Sequence, residues 1–281
     1  MNRNLLRKIT VLLSLTILSG CKTITIPVEK YSQYEFEKSY TLEGDTLKIV
    51  LKNPLQCPLR VWIFSPDTAL QNRFNAMPVV IESKSDTILT YTDVHGSSPE
   101  LRFSSRLGNT SKEIKPIKMD LPYPKNVTHT VIQGNNTNFT HNTDWSRYAF
   151  DFDLKTNDTI CSATDGYVVG LVDKYKFSGK GKEWKPFANY LTIYEPISGV
   201  FCQYVHLVQN GCLVKIGDRV QRGQKIALSG NTGQSTVEHL HFSCLVPVDS
   251  EDGLKSIPIR FAGVQYTAEL KEGDTLRNSH N

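Results

Sequence analysis

Between Tyr40 and Thr92 the chain gathers β-branched and aromatic residues into short runs: TLKIVLK (46–52), LRVWIFS (59–65), MPVVIES (77–83) and SDTILTYT (85–92). The turn formers NP, SPD and KSD punctuate them. Strand-forming runs at regular spacing between turn signals predict a β-sandwich. The stretch SSRLGNTSKEIKPIKMDLPYPKN (104–126), rich in Pro, Lys and small polar residues, reads as a linker. From Val127 the strand pattern resumes in DTICSATDGYVVGLVD (158–173), NYLTIYE (189–195), VFCQYVHLV (200–208), KIALSG (225–230) and HLHFSCLV (239–246). No segment sustains the period of an amphipathic helix. The expected fold is all-β. A tether over 21–37 leads to a sandwich-like domain over 38–120 and a second antiparallel β-domain over 125–250. A C-terminal strand and tail follow over 251–281.

The first residues break this pattern. Arg3, Arg7 and Lys8 precede the apolar run Ile9–Ile17, and LSGC (18–21) follows. A basic start, a short apolar core and small residues before a cut describe a signal peptide over 1–20, too short for a spanning helix. The cysteine directly after LSG resembles the lipobox of bacterial lipoproteins, which implies that Cys21 carries lipid and anchors the chain to a membrane. Lys22 stands where an Asp often retains such proteins at the inner membrane, so the outer membrane is the expected location. Five cysteines remain, at 57, 161, 202, 212 and 244. Export permits disulfides, but the odd number leaves at least one thiol over, and there is no CxxC pair.

Composition adds little. Hydrophobic residues make up 39% and charged residues 21% of the 281, which suits a folded body. The net charge of +4, without long basic runs, gives no basis for nucleic-acid binding. No feature of the sequence fixes an oligomeric state.

Candidate chemistry starts at HLHF (239–242). Side chains of a strand alternate between faces, so His239 and His241 share one face and Leu240 and Phe242 the other. Two imidazoles on one face suit a shared metal, or one ligand beside one catalytic base; alone, the pair is a weak signal. Upstream, QYVHL (203–207) supplies His206. Asp151 follows Tyr148, Ala149 and Phe150 in an apolar run where an unpaired carboxylate would be costly. Glycines at 217, 223, 230 and 233 mark tight turns, and SGNTGQST (229–236) forms a loop beside the two histidines.

Taken in order, DF (151–152), ATDGYVV (163–169), NYLTI (189–193), YVHL (204–207), VKIGDRVQRGQKIALSGNTGQST (214–236) and HLHF resemble the lysostaphin-type, or LytM-like, zinc metallopeptidases. The resemblance covers roughly residues 130–248. It implies a LytM-like antiparallel β-sheet domain over 125–250 that cleaves peptide cross-links of peptidoglycan at the cell envelope, with stem peptides as substrate. It assigns Asp151 and His241 as zinc ligands, and His206 and His239 as the residues handling the water and the transition state. Zinc of this kind keeps an open coordination position for water.

One residue departs from the family pattern. The family's HxxxD motif calls for His at 147, and this chain has Arg147, which stays protonated and cannot ligate a metal. Two expectations follow. In one, His141 supplies the third ligand across a folded-out NTDWS loop pinned by Trp145, with Arg147 on the surface. In the other, Arg147 pairs with Asp151, the zinc site is lost and the chain binds wall or regulates another hydrolase. His129 is a rival third ligand. The insertion 173–190, with lysines at 174, 176, 180, 182 and 185 and with Tyr175, Phe177, Trp184 and Phe187, reads either as a solvated hairpin or as a wall of the substrate groove.

Overall fold

A computed structural model describes residues 25–74, 77–95, 99–137 and 139–279. The segment expected to be a signal peptide, and Cys21, lie outside them. The fold is almost all β. Its described helices are one short turn of α-helix, Thr68–Gln71, and two 3-10 segments, Lys182–Phe187 and Thr267–Glu269. None is long and apolar enough to cross a membrane.

Two three-stranded antiparallel sheets form first. One orders Glu37–Glu43, Thr46–Lys52 and Asp86–Tyr91; the other orders Val79–Ile81, Leu59–Phe64 and Arg102–Leu107. Alternate residues Leu47, Ile49 and Leu51 of the first sheet and Leu59, Val61 and Ile63 of the second meet in one buried cluster. The strand Arg102–Leu107 occupies the start of the stretch read as a linker, because Arg102–Leu107 pairs residue for residue with Leu59–Phe64.

A nine-stranded antiparallel sheet follows. Its order is Arg219–Val220, Gly166–Val172, Tyr190–Glu195, Val200–Val205, Leu240–Pro247, Phe150–Phe152, Thr128–Gln133 and Thr275–Arg277, with Leu254–Ser256 also paired to Leu240–Pro247. The last two named segments show that the chain beyond 250 completes this sheet. The inner face carries Phe150, Phe152, Ile193, Tyr204, Leu240 and Phe242, which pack with Ile160, Leu207 and Ile226 of a smaller sheet (Thr159–Cys161, Leu207–Cys212, Lys225–Ser229).

The outer face is divided along its strands. Tyr194, Phe201 and Leu245 belong to the same buried cluster as Leu47 and Leu59, so the N-terminal sheets cover that end. Arg60, fully buried, fastens the contact: its guanidinium donates to the carbonyls of Leu107, Gly108, Val248 and Gly253 and meets Asp249 at 3.3 Å. Residues before the first strand are held too. Leu171 N–H donates to the Gln33 carbonyl at 2.8 Å, Tyr31 N–H donates to the Tyr175 hydroxyl at 3.1 Å, and the Tyr175 hydroxyl donates to the Glu29 carbonyl. Part of the expected tether thus lies along the upper edge of Gly166–Val172, where the short strand Arg219–Val220 leaves backbone groups unpaired.

Candidate metal centre

The other end of the outer face is polar. Strand register sets His241 opposite both Asp151 and Val205. Alternation then puts His241 and Asp151 on the outer face, while Phe150, Phe152, Leu240 and Phe242 fill the core. His239 precedes the strand by one residue and points the same way, with Nε2 at 3.7 Å from Asp151 Oδ2. His206 ends the neighbouring strand with φ of +68°, a left-handed conformation that non-glycine residues rarely adopt. That turn swings its ring to within 4.5 Å of the His239 ring, centroid to centroid.

His141 arrives from the loop between Thr128–Gln133 and Phe150–Phe152. The loop is bonded within itself: Thr143 and Ser146 hydroxyls lie at 2.9 Å, Ser146 Oγ donates to the Thr140 carbonyl, and Trp145 Nε1 donates to Gln203 Oε1 at 3.2 Å. His141 is fully buried. Its Nε2 lies 3.2 Å from His241 Nδ1 and 3.2 Å from Asp151 Oδ1, and His241 Nδ1 lies 2.8 Å from Asp151 Oδ1. Three donors at the corners of a small triangle are what a tetrahedral metal requires. Zinc bonds of 2.0–2.1 Å at tetrahedral angles place ligand atoms about 3.3 Å apart. The donor set of two imidazoles and one carboxylate also suits zinc. His141, Asp151 and His241 therefore fit the ion.

Backbone carbonyls set the tautomers. His141 Nδ1 faces the Gly134 carbonyl at 2.8 Å, His206 Nδ1 faces that of Thr232 at 2.6 Å, and His239 Nδ1 faces that of Val237 at 2.9 Å. Each Nδ1–H donates outward, which leaves the Nε2 lone pair directed inward. Asn189, from the NYLTI run, supports this frame. Its side chain donates to the carbonyls of Tyr175 and Leu207, and its backbone N–H donates to Thr232 Oγ1. Thr232 Oγ1 in turn donates to the Leu207 carbonyl.

Charge follows from burial. Burial by itself would raise the Asp151 pKa, but the charge of His239 and the hydrogen bonds from His141 and His241 hold it well below the usual carboxylate range. Burial pushes His206 down to about 3, aided by the charges of His239 and His241. Burial lowers His241 as well, against the pull of Asp151. In His141 burial works in the same direction, and the Asp151 bond and charge outweigh it, so its pKa is raised. The centre thus holds one ionised carboxylate and a neutral imidazole at His206.

Arg147 is not in the pocket. It lies 3.7 Å from Asp144, with 45% of its side chain exposed. His129 pairs with Asp153 at 3.0 Å and is not among the groups gathered around Asp151. In the insertion, Tyr175, Trp184 and Phe187 are buried and Phe177 is exposed, so three of these four aromatics pack inward rather than line a groove. Sequence reasoning missed the orienting carbonyls of Gly134, Thr232 and Val237. Backbone groups carry no side-chain signature, although the SGNTG run marks where the Thr232 carbonyl lies.

Residues 146–252 match the model of Peptidase family M23. Over 110 residues the chain is 40% identical to the peptidoglycan DD-endopeptidase ShyB of Vibrio cholerae serotype O1, covering 39% of this chain and 23% of that protein. It is 31% identical over 132 residues to ShyA, another peptidoglycan DD-endopeptidase of the same organism, covering 45% and 28%. The chain therefore spans about a quarter of the length of these curated relatives. Among solved structures, a zinc-containing peptidase from Vibrio cholerae is 18% identical with a TM-score of 0.35, covering 79% of this chain and 84% of that one. The Asp151, His206, His239 and His241 cluster lies within the stretch that matches the Peptidase family M23 model.

Proposed function

We propose that the chain is a zinc-dependent endopeptidase that hydrolyses peptide cross-links of peptidoglycan. One observation carries the reading. His141, Asp151 and His241 close a triangle with edges of 2.8–3.2 Å, and two further imidazoles turn their Nε2 atoms toward it. His141 takes the place that Arg147 cannot fill. The relatives' names supply the substrate class.

His141, Asp151 and His241 would hold zinc, which would supply polarisation of an amide carbonyl and a water pKa of about 7. The chain's own residues do the rest. Neutral His206, its Nδ1–H committed to Thr232, takes the attacking water's proton on Nε2. His239, oriented by Val237, faces the oxygen that gains charge. Which of the two performs each role rests on the burial of His206, which keeps it neutral. The N-terminal segment 1–20 is proposed as a lipoprotein signal, with lipid on Cys21 placing the enzyme at the envelope. The sequence divisions at 38–120 and 125–250 remain our proposed domain limits.

A wall-binding regulator without catalysis is the second reading. It needs Arg147 against Asp151, and Arg147 faces Asp144 instead. Metal analysis separates the two. The full-length protein should hold about one zinc per chain, and His141→Ala should lose it together with muropeptide cleavage. Absence of zinc from the unmodified protein after zinc is supplied would leave only the regulator.

A further inference from the structure

A cavity of about 490 Å³ is lined in part by Thr143 and Trp145 of the loop that delivers His141. It lies over the seam between the N-terminal sheets and the peptidase sheet. Arg106 comes from one side, and Trp145, Lys185, Glu251 and Asp252 from the other; Gln33 and Tyr34 close a third wall. Trp145 belongs to the loop that delivers His141, and its indole N–H rests on Gln203. Gln203 is paired with Ser243, two residues along the strand from His241. Two residues of strand span about 6.7 Å. The cavity therefore begins one row of side chains from the triangle, within reach of a single extended peptide.

Its charges are of both signs and do not cancel one another. Arg106 is fixed by Nε, which donates to the Glu251 carbonyl, and by Nη1, which donates to Ser104 Oγ and the Ser105 carbonyl. Nη2 carries no described bond. Among the described residues, the side chains of Lys185, Glu251 and Asp252 have no ion-pair partner. Pockets of this size with a few convergent polar groups are where ligands are fixed in orientation. Two cations and two carboxylates around an indole suit a ligand that carries a carboxylate and an ammonium on one short apolar frame.

We propose that this cavity is a binding subsite for a diamino-acid residue at a free peptide end, with its carboxylate on Arg106 and Lys185 and its ammonium on Glu251 and Asp252. The proposal rests on the peptidase reading, since it names the part of the substrate that lies beyond the cleaved bond. Three of its walls belong to segments outside the matched M23 residues or at their edge, so the subsite is built by the whole chain.

The test uses acetyl-Ala-Ala-Lys as probe, with its carboxamide and its Nε-acetyl form, titrated calorimetrically into the full-length protein. The free peptide should bind at least tenfold more tightly than either blocked form. Lys185→Gln, an exposed change, should narrow the gap to the carboxamide severalfold, and Arg106→Gln should close it. Asp252→Asn should narrow the gap to the acetylated form. Equal binding of the three peptides, or no binding at millimolar concentration, overturns the subsite. Wall digestion by the same protein reports on the peptidase reading independently. Digestion without discrimination sinks the subsite alone, whereas discrimination without digestion leaves it standing and sinks the peptidase.

Discussion

Three successive rows cross the outer face of the nine-stranded sheet, and the same strands supply all three. The upper row holds Asp151, His241 and Val205; the middle row Ser243, Gln203 and Thr192; the lower row Leu245, Phe201 and Tyr194. Backbone pairing is alike in each, so the difference comes from what covers them. Loops that bring hydrogen-bonding carbonyls cover the upper row, and there titratable groups persist in a buried setting. A second hydrophobic core covers the lower row, and only apolar surface and a tyrosine survive there. Trp145 and Gln33 cap the middle row, with Gln203 and Thr192 as their partners. One sheet serves as both site floor and seam because residues two apart along a strand share a face, so one face carries His241, Ser243 and Leu245 in turn.

The contrast can be broken most severely at the upper row. Asp151→Ala removes the only carboxylate of the triangle. It should abolish zinc retention and lower cleavage by at least about a thousandfold, or about 4 kcal/mol in the barrier, as read by metal analysis and muropeptide release. Added chelator should do the same to the unmodified protein, reversibly on return of zinc. At the seam, Arg60→Ala leaves four backbone carbonyls without their donor. Each buried unsatisfied group costs about 1–3 kcal/mol, and partial rehydration brings the expected total to about 3–5 kcal/mol, measured by denaturant titration. In the lower row, Leu245→Ala should cost about 2–5 kcal/mol of stability while zinc content stays unchanged. Loss of zinc in that variant would show that the rows are not independent. At the smallest end, Arg147→Ala should alter stability by less than about 0.5 kcal/mol and leave the metal in place. A rise in zinc affinity on removing Arg147 would instead return it to the pocket.

Much of this was legible in the sequence. The runs 46–52, 189–195 and 239–246 announced their strands because burial of one or both faces selects β-branched and aromatic residues. His239 and His241 announced a shared face through period two alone. Asp151 stood out as a carboxylate in an apolar run, the family resemblance assigned it and His206 their expected roles, and a loop long enough to fold back made His141 available. Other features left no trace. Arg60 sits in a run that reads as ordinary strand, and nothing local says that two of its acceptors, the Val248 and Gly253 carbonyls, lie 188 and 193 residues away. The strand Glu37–Glu43 is exposed or half-buried throughout, so it lacks an apolar signature and exists because it pairs with Thr46–Lys52. Lysines and aromatics in 173–190 suggested a binding wall, yet an aromatic that fills a hairpin looks the same in sequence as one that greets a ligand.

The seam at Tyr194, Phe201 and Leu245 has a consequence for how the chain can be inherited and cut. A fragment trimmed to the family-matched residues 146–252 would lose Thr128–Gln133, His141 and the cover of its lower row in one stroke. It would present a sticky apolar surface to its neighbours and lack one corner of the triangle. The family-matched stretch here is therefore not a portable cassette. Gene fusions or truncations that respect only the family boundary should yield aggregates, whereas exchanges that carry both flanks together should remain soluble.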